Sequence, residues 1–437
     1  MNRSMVRRVG VLVAAGAVMS DAWGQVMCGT FGSPPPLNNI VTSLIEFQGE
    51  TYVGGYFWGS AGNYVTRWNG TTYVPLAQQL QQGIVTKLAV YDHGSGPALY
   101  AGGGSFTLPG FPIPPTHNAV VKWIGQAWSG TGFPTQVGSS GVRDMEVYDD
   151  GQGPELYIVG GFGLRRYNGT SWASVPNVVS AAALAVFDDG GGPALYVGGH
   201  FPSIGGVPAR SLAKYRQGVW AEVGGGLSMA VGPSTGFGDV NCLEVLDLGG
   251  GPRLFAGGGF NRAGTLPVHF VASWDGAAWA GYRFAGYPTF SYVADSAIRD
   301  FATLEVGDRT LLLAGAGYFV TGTEARGLMV WDGERWYSAG PSAPQQVYAI
   351  LPQGDGSVLA GGHFPNWVAE WTPGSLCYPN CDCSSASPTL NVADFSCFLQ
   401  RFAACDMGAN CDMSTAQPVL NVADFTCYLQ RFAAGCD

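Results

Sequence analysis

Charge is scarce in this chain, and what there is leans acidic. Of 437 residues only 12% are charged, with 21 lysines and arginines against 31 aspartates and glutamates, a formal net charge of -10. That balance argues against nucleic acid, whose binders need a basic face for the phosphates, and it fits calcium or cationic surfaces. Beyond the first 24 residues no segment approaches eighteen uninterrupted apolar residues, so no membrane span is expected there. Cysteine is nearly absent from the body: Cys28 and Cys242 stand alone, while the other eight (377, 381, 383, 397, 405, 411, 427, 436) crowd the tail. Disorder is excluded by an apolar fraction of 46%.

What is present begins with an export signal. Arg3, Arg7 and Arg8 precede an apolar run from Val9 to Met19, and Ala22 with Gly24 supplies the small residues of a cleavage site before Gln25. This layout predicts a secretory signal peptide over residues 1–24 and a secreted or cell-surface protein. An uncleaved anchor is the alternative, but the run is too short to span a bilayer.

The body is a set of repeats. LAVYDHGSGPALYAGGGSF from Leu88 recurs as MEVYDDGQGPELYIVGGF from Met145, LAVFDDGGGPALYVGGHF from Leu184 and LEVLDLGGGPRLFAGGGF from Leu243. Weaker copies start at Leu44, Thr303 and Ala349, making seven. Each has two alternating apolar runs around an Asp/Gly/Pro turn, the pattern of a β-hairpin. Each then ends in glycines and an aromatic (Phe57, Phe106, Phe162, Phe201, Phe260, Phe319, Phe364) expected to pack between neighbouring sheets. In six copies a second hairpin follows with an aromatic on either side of a short turn, as in RWNGTTY at 67–73 and VWDGERW at 330–336. Four strands repeated seven times predict an all-β fold, a seven-bladed β-propeller over residues 25–376. The seventh copy lacks its fourth strand, and Val26–Phe31 is a β-prone stretch left over at the other end. The two are expected to share one blade, which would bring Cys28 near Cys377 and permit a disulfide.

These motifs resemble kelch-type propellers and, more closely, the repeat family of bacterial secreted propellers and fungal cortical polarity-marker proteins. The resemblance covers residues 26–375 and implies a fold without a particular chemistry.

Residues 377–437 are a different module. NCDCSSASPTLNVADFSCFLQRFAA from Asn380 matches NCDMSTAQPVLNVADFTCYLQRFAA from Asn410. Oxygen-bearing side chains at alternate positions followed by an amphipathic helix form a half-EF-hand pattern. The duplicated module resembles a dockerin domain of the Gly-Cys type found in planctomycete-like bacteria, matched at the end by Gly435 and Cys436. The resemblance implies calcium held by Asn380, Asp382, Ser384, Asn391 and Asp394, and by Asn410, Asp412, Ser414, Asn421 and Asp424. Both loops start with Asn in place of Asp and are three residues longer than a twelve-residue loop, which weakens a site for a hard cation. Disulfide-held helical hairpins that need no metal are the alternative. Identical spacing in the two copies suggests the pairs Cys381–Cys397 and Cys411–Cys427, among 105 possible connectivities. Zinc lacks support, since the tail has no histidine and no C-x-x-C pair. Gln400, Arg401, Gln430 and Arg431 are the polar helix residues a partner would read, in either of two orientations.

A catalytic set does not emerge. Among five histidines (His93, His117, His200, His269, His363), His200 and His363 stand at equivalent places after Gly-Gly. Asp92, Asp149, Asp188 and Asp247 fit turn chemistry. No nucleophile, base and orienter come together. The expectation is therefore an exported, non-catalytic binding or scaffold protein, its body a platform for a glycan or protein ligand and its tail docked to a cohesin-like or cell-surface partner. The alternative is a carbohydrate-active enzyme or lectin brought to an assembly.

Overall fold

The computed structural model describes residues 30–108, 118–133, 141–231, 234–282, 298–307, 309–317, 327–331, 333, 336–339, 344, 346–373, 390–403, 411 and 421–434. Each first hairpin turns on the aspartate of its repeat. Asp92 Oδ1 accepts from the amides of Gly94 (2.7 Å) and Gly96 (2.9 Å), and Asp149, Asp188 and Asp247 do the same for the glycines two and four residues on. The side chain thus replaces water for two amides that no strand reaches. In the second hairpins Asn69, Asn168 and Asp275 cap the turn in the same way. The aromatics flanking those turns face each other across the strands, from Trp68–Tyr73 at 5.0 Å to Trp331–Trp336 at 5.5 Å.

These hairpins assemble into seven open, antiparallel, four-stranded sheets. Sheets one to six run in sequence order; their first strands are Val41–Phe47, Val85–Tyr91, Val142–Asp149, Ala181–Asp188, Asp239–Asp247 and Ile298–Val306. The first strand of sheet seven is Val347–Pro352, and its outermost strand is Thr30–Gly32 from the other end of the chain. Phe31 lies opposite Trp371 there, so the leading segment supplies the aromatic partner that the seventh repeat does not encode. The fold of residues 30–373 is all-β, with the helices confined to the tail.

Contacts between sheets follow a cyclic order. Each first strand touches the next, and that of sheet seven touches that of sheet one. The paired glycines explain how they come so close. A Cβ on Gly54, Gly198, Gly315 or Gly361 would lie 2.4–2.9 Å from a methyl of Val85, Val240, Val347 or Val41 on the following sheet, a distance at which carbon atoms overlap. Sheet three has Val159 at this position, and the facing strand of sheet four answers with Ala181 where the others carry a branched residue; both belong to one buried cluster. The second glycine meets a different limit. A Cβ on Gly55, Gly103, Gly199, Gly258 or Gly362 would sit 1.8–2.2 Å from a carbonyl oxygen at the start of its own sheet's first strand.

Every first strand also carries a β-bulge at its second or third residue. The residues it leaves unpaired are Thr42, Thr86, Arg143, Ala182, Asn241, Arg299 and Tyr348. Two short pairings were not foreseen: Ser203–Ile204 with Val207–Pro208, and a small sheet joining Leu227–Val231, Ser234–Phe237, Arg262–Ala263 and Leu266–Pro267.

The expected interleaving aromatics Phe57, Phe106, Phe201 and Phe260 are fully buried, Phe364 nearly so, and Phe162 packs partly buried against its cluster; Phe319 lies outside the described residues.

Two outcomes test this packing. A chain starting at Pro34 loses the outer strand of sheet seven, and its thermal unfolding should occur several degrees below that of a chain starting at Gln25; equal melting would show that the strand does not fasten the body. Gly198→Val should destabilise by about 1–3 kcal/mol through overpacking, and adding Val240→Ala should recover part of that loss in a denaturant titration, as Val159 and Ala181 already accommodate each other.

Candidate functional site

The bulges bring most of the chemically distinctive side chains of the body to one region, where the first strands converge. The residue after each bulged position is Ser43, Lys87, Asp144, Ala183, Cys242, Asp300 or Ala349. Three of these stitch one sheet to the next: Ser43 Oγ accepts from Leu88 N (2.9 Å), Asp144 Oδ2 from Leu184 N (2.8 Å) and Asp300 Oδ2 from Ile350 N (2.7 Å). Thr42 and Thr86 donate to the carbonyls of Val85 and Val142 and so add two further links. Lys87 Nζ closes the set with an ion pair to Asp144 Oδ1 at 2.9 Å.

The electrostatics follow from this crowding. Burial alone would lower the Lys87 ammonium, but the charges of Asp144, Asp300 and Glu244 outweigh it and hold the lysine protonated well above its ordinary range. Its side chain is hemmed in by protein while about a third of it, 35%, still meets water, so the desolvation is incomplete. For Asp300 burial dominates over the attraction of Lys87 and two backbone amides, and its carboxyl is pushed up to about 6. Burial likewise raises the thiol of Cys242, a free cysteine among the described residues, which makes it a poor nucleophile. An acyl- or glycosyl-transfer centre needs an available base beside a nucleophile; here the oxygens of Asp144 and Asp300 accept from backbone amides and from Lys87.

At the end of the sheets where these bulges lie, the surface is richer. His200 and His363 hold equivalent positions there, their amides bonded to the carbonyls of Ser180 and Gln346. His200 Nδ1 pairs with Asp239 Oδ1 at 2.7 Å, while His363 stacks on Trp367 with ring centres 5.1 Å apart. At the corresponding place in sheet one, Tyr56 packs edge-on to Trp58, which is 48% exposed. The equivalence of His200 and His363 was read from sequence; Tyr56 and Trp58 were not, although the residue after Gly-Gly varies between Tyr, Gly and His.

The tail holds two helices, α1 (Val392–Ala403) and α2 (Val422–Ala434). Asn391 Oδ1 accepts from Ala393 N (2.7 Å), and Asp394 Oδ2 accepts from Asn391 N (2.8 Å); Asn421 and Asp424 repeat both bonds. Each pair is thus a reciprocal capping box, and both aspartates are fully buried. Asn380, Asp382, Ser384, Asn410, Asp412 and Ser414 lie outside the described residues. The helices pack through residues thirty apart: Phe398 stacks on Tyr428 at 3.9 Å and Phe395 meets Phe425 at 6.0 Å. Cys411 is bonded to Cys427, and Cys397, at the equivalent helix position, is also disulfide-bonded. Cys28, Cys377 and Cys381 lie outside the described residues. Gln400 and Gln430 are exposed, as the partner-reading role requires, and nothing is described of the side chains of Arg401 and Arg431. Two exposed apolar pairs were missed from sequence. Val392 and Val422 are each 79% exposed, and Leu399 and Leu429 are 40% and 41% exposed. Seven residues apart, each Val and Leu share one helix face.

No family model matches the chain, and no curated protein matches it. Among solved structures, the extracellular domain of a putative hybrid two-component system from B. thetaiotaomicron superposes with a TM-score of 0.49 at 14% identity, over 78% of this chain and 39% of that one. U3-55K gives 0.47 at 12% identity, over 78% of this chain and 98% of its own. The computationally designed Ika8 protein gives 0.43 at 15% identity, over 78% and 98%. The chain therefore spans about two fifths of the extracellular domain it matches. Among the described residues no helix is long and apolar enough to cross a membrane.

The raised carboxyl of Asp300 has a pH signature. Its value of about 6 lies above the ordinary 3.8, so the folded state binds this proton more tightly than the unfolded state. Its contribution is present below pH about 4 and is lost as pH rises towards 6, by at most about 3 kcal/mol. Asp300→Asn keeps an acceptor for Ile350 N, and the difference in stability between variant and wild type should grow across that window; a constant difference from pH 4 to 7 would show that Asp300 titrates normally.

Proposed function

We propose that residues 25–376 form one seven-bladed β-propeller that serves as an exported, non-catalytic recognition platform, and that residues 377–437 are a dockerin-like module that attaches it to a cohesin-like or cell-surface partner. Propeller closure is supported by the cyclic order of first-strand contacts and by the pairing of Thr30–Gly32 with the last sheet. A platform reading is supported by Asp144 and Asp300, whose oxygens accept from backbone amides and, at Asp144, from Lys87. Export rests on the signal-peptide pattern of residues 1–24.

The observation that carries the docking half is the twin exposure on the tail helices. A packed helix hides its apolar residues, yet α1 and α2 each leave a valine and a leucine open on one face, to nearly the same extent, beside an exposed glutamine. Two equivalent faces let a partner bind in either of two orientations. Calcium would order the loops before each helix through the ligand set that the dockerin resemblance implies, with Asn391, Asp394, Asn421 and Asp424 joining the loops to the caps.

Substitution on one helix alone, Leu399→Ser with Arg401→Ala, should leave the protein at the cell surface. The same changes on both helices, adding Leu429→Ser and Arg431→Ala, should release it into the medium. Surface retention of the double-sided variant in a whole-cell fractionation would remove the docking proposal, and release by a calcium chelator would locate the metal in the tail.

A further inference from the structure

We propose that the corner where sheets six, seven and one meet binds a pyranoside bearing an anionic group, a unit of an acidic polysaccharide; this rests on the platform reading and gives it a ligand class. The centre of the corner is Gln346, only 6% exposed. Its Oε1 accepts from Tyr348 OH at 2.6 Å and lies 3.3 Å from His363 Nδ1, while its Nε2 has no partner among the described residues. Both amide hydrogens are thus unused by the described residues, and a ligand oxygen arriving at Nε2 can accept from them.

The surrounding groups are held in place for the same purpose. His363 is exposed, but its ring lies flat on Trp367 with an interplanar angle of 14°, and its Nδ1 is engaged by Gln346; Nε2 is left to meet a hydroxyl. Arg299, on the exposed bulge of sheet six, places its guanidinium 5.9 Å from the centre of the Tyr348 ring. No carboxylate pairs with it among the described residues, a notable condition in a chain of net charge -10. An unpaired guanidinium, planar and many-donored, suits a carboxylate or sulfate. Sheet one completes the corner: Phe57 and Trp367 belong to one apolar cluster, and the neighbouring Trp58 is half exposed. Open aromatic faces take the apolar C–H side of a sugar ring while fixed polar groups take its edge. The Lys87–Asp144–Asp300 group offers no comparable site, since its polar atoms are already bound to one another and to the backbone.

Calorimetric titration of the full chain with an oligogalacturonate, a sulfated oligogalactoside and the neutral oligogalactoside of equal length tests the inference. Acidic sugar should bind, and Arg299→Gln should weaken it at least tenfold without altering thermal unfolding, leaving the weaker neutral binding as it was. Trp58→Ala should weaken all three. The stronger of the two acidic ligands identifies the anion as carboxylate or sulfate. Equal binding of neutral and acidic sugars, an unaffected Arg299→Gln variant, or no binding of any of them would overturn the proposal. A chain that ignores sugars but is released from cells by the tail substitutions overturns this site alone, whereas retention after those substitutions overturns the docking reading whatever the sugars do.

Discussion

The body depends on one steric constraint: at six of the seven junctions the sheets approach so closely that a side chain on the following first strand stands where the Cβ of a residue other than glycine would lie. Gly361 against Val41 makes the last of these contacts and is built like the first, Gly54 against Val85. Such a fit has no tolerance for a Cβ on both sides, which is why Val159 is accompanied by Ala181. The bulges follow from the same crowding. By inserting one unpaired residue, each first strand turns its end away from its neighbours and re-aims a side chain.

That constraint separates what the repeats specify from what they leave open. Positions that pack between sheets are nearly fixed in kind, a branched residue against glycine beside an aromatic, with Ala181 and Val159 as the exchanged pair. The bulged residues are Thr42, Thr86, Arg143, Ala182, Asn241, Arg299 and Tyr348, which have nothing in common but their place. Identical repeated units have no preferred side, so a site that distinguishes one sheet from another must come from residues that break the repeat. Arg299 and Tyr348 are adjacent in that series, and Gln346 and His363 belong to the same sheet as Tyr348.

Sequence pattern showed the hairpins because their turns are local: an aspartate that binds the amides two and four residues on leaves its mark in a five-residue word. It also showed that the first and last segments belong together, since a strand was missing at one end and spare at the other; what it left unread was that Phe31 takes the place of the missing hairpin aromatic. The Lys87–Asp144 pair and the Gln346 corner were not legible. Their members lie on different sheets or at unremarkable positions of one sheet, and only the bulge, whose register no composition encodes, sets them side by side. In the tail the repeated LNVxDF was read as metal ligands, and the structure gives its Asn and Asp a second occupation as a capping box.

Body and tail are both built by duplication, yet duplication leaves opposite traces in them. In the body the buried positions and the turn aspartates match, while the bulged residues diverge. In the tail the match extends to exposed residues: Val392 with Val422, Leu399 with Leu429, Gln400 with Gln430. The shared core of Phe395, Phe398, Phe425 and Tyr428 accounts for likeness on the inner faces, because a symmetric interface requires the same residue from each side. It places no demand on the outer faces. Exposed valine and leucine carry a solubility cost when left uncovered, and two copies of that cost are sustained only where both faces have a use. On the proposed reading, divergent bulged positions in the body and matched exposed ones in the tail would serve two kinds of recognition in one chain: a single asymmetric site, and a doubled, interchangeable one.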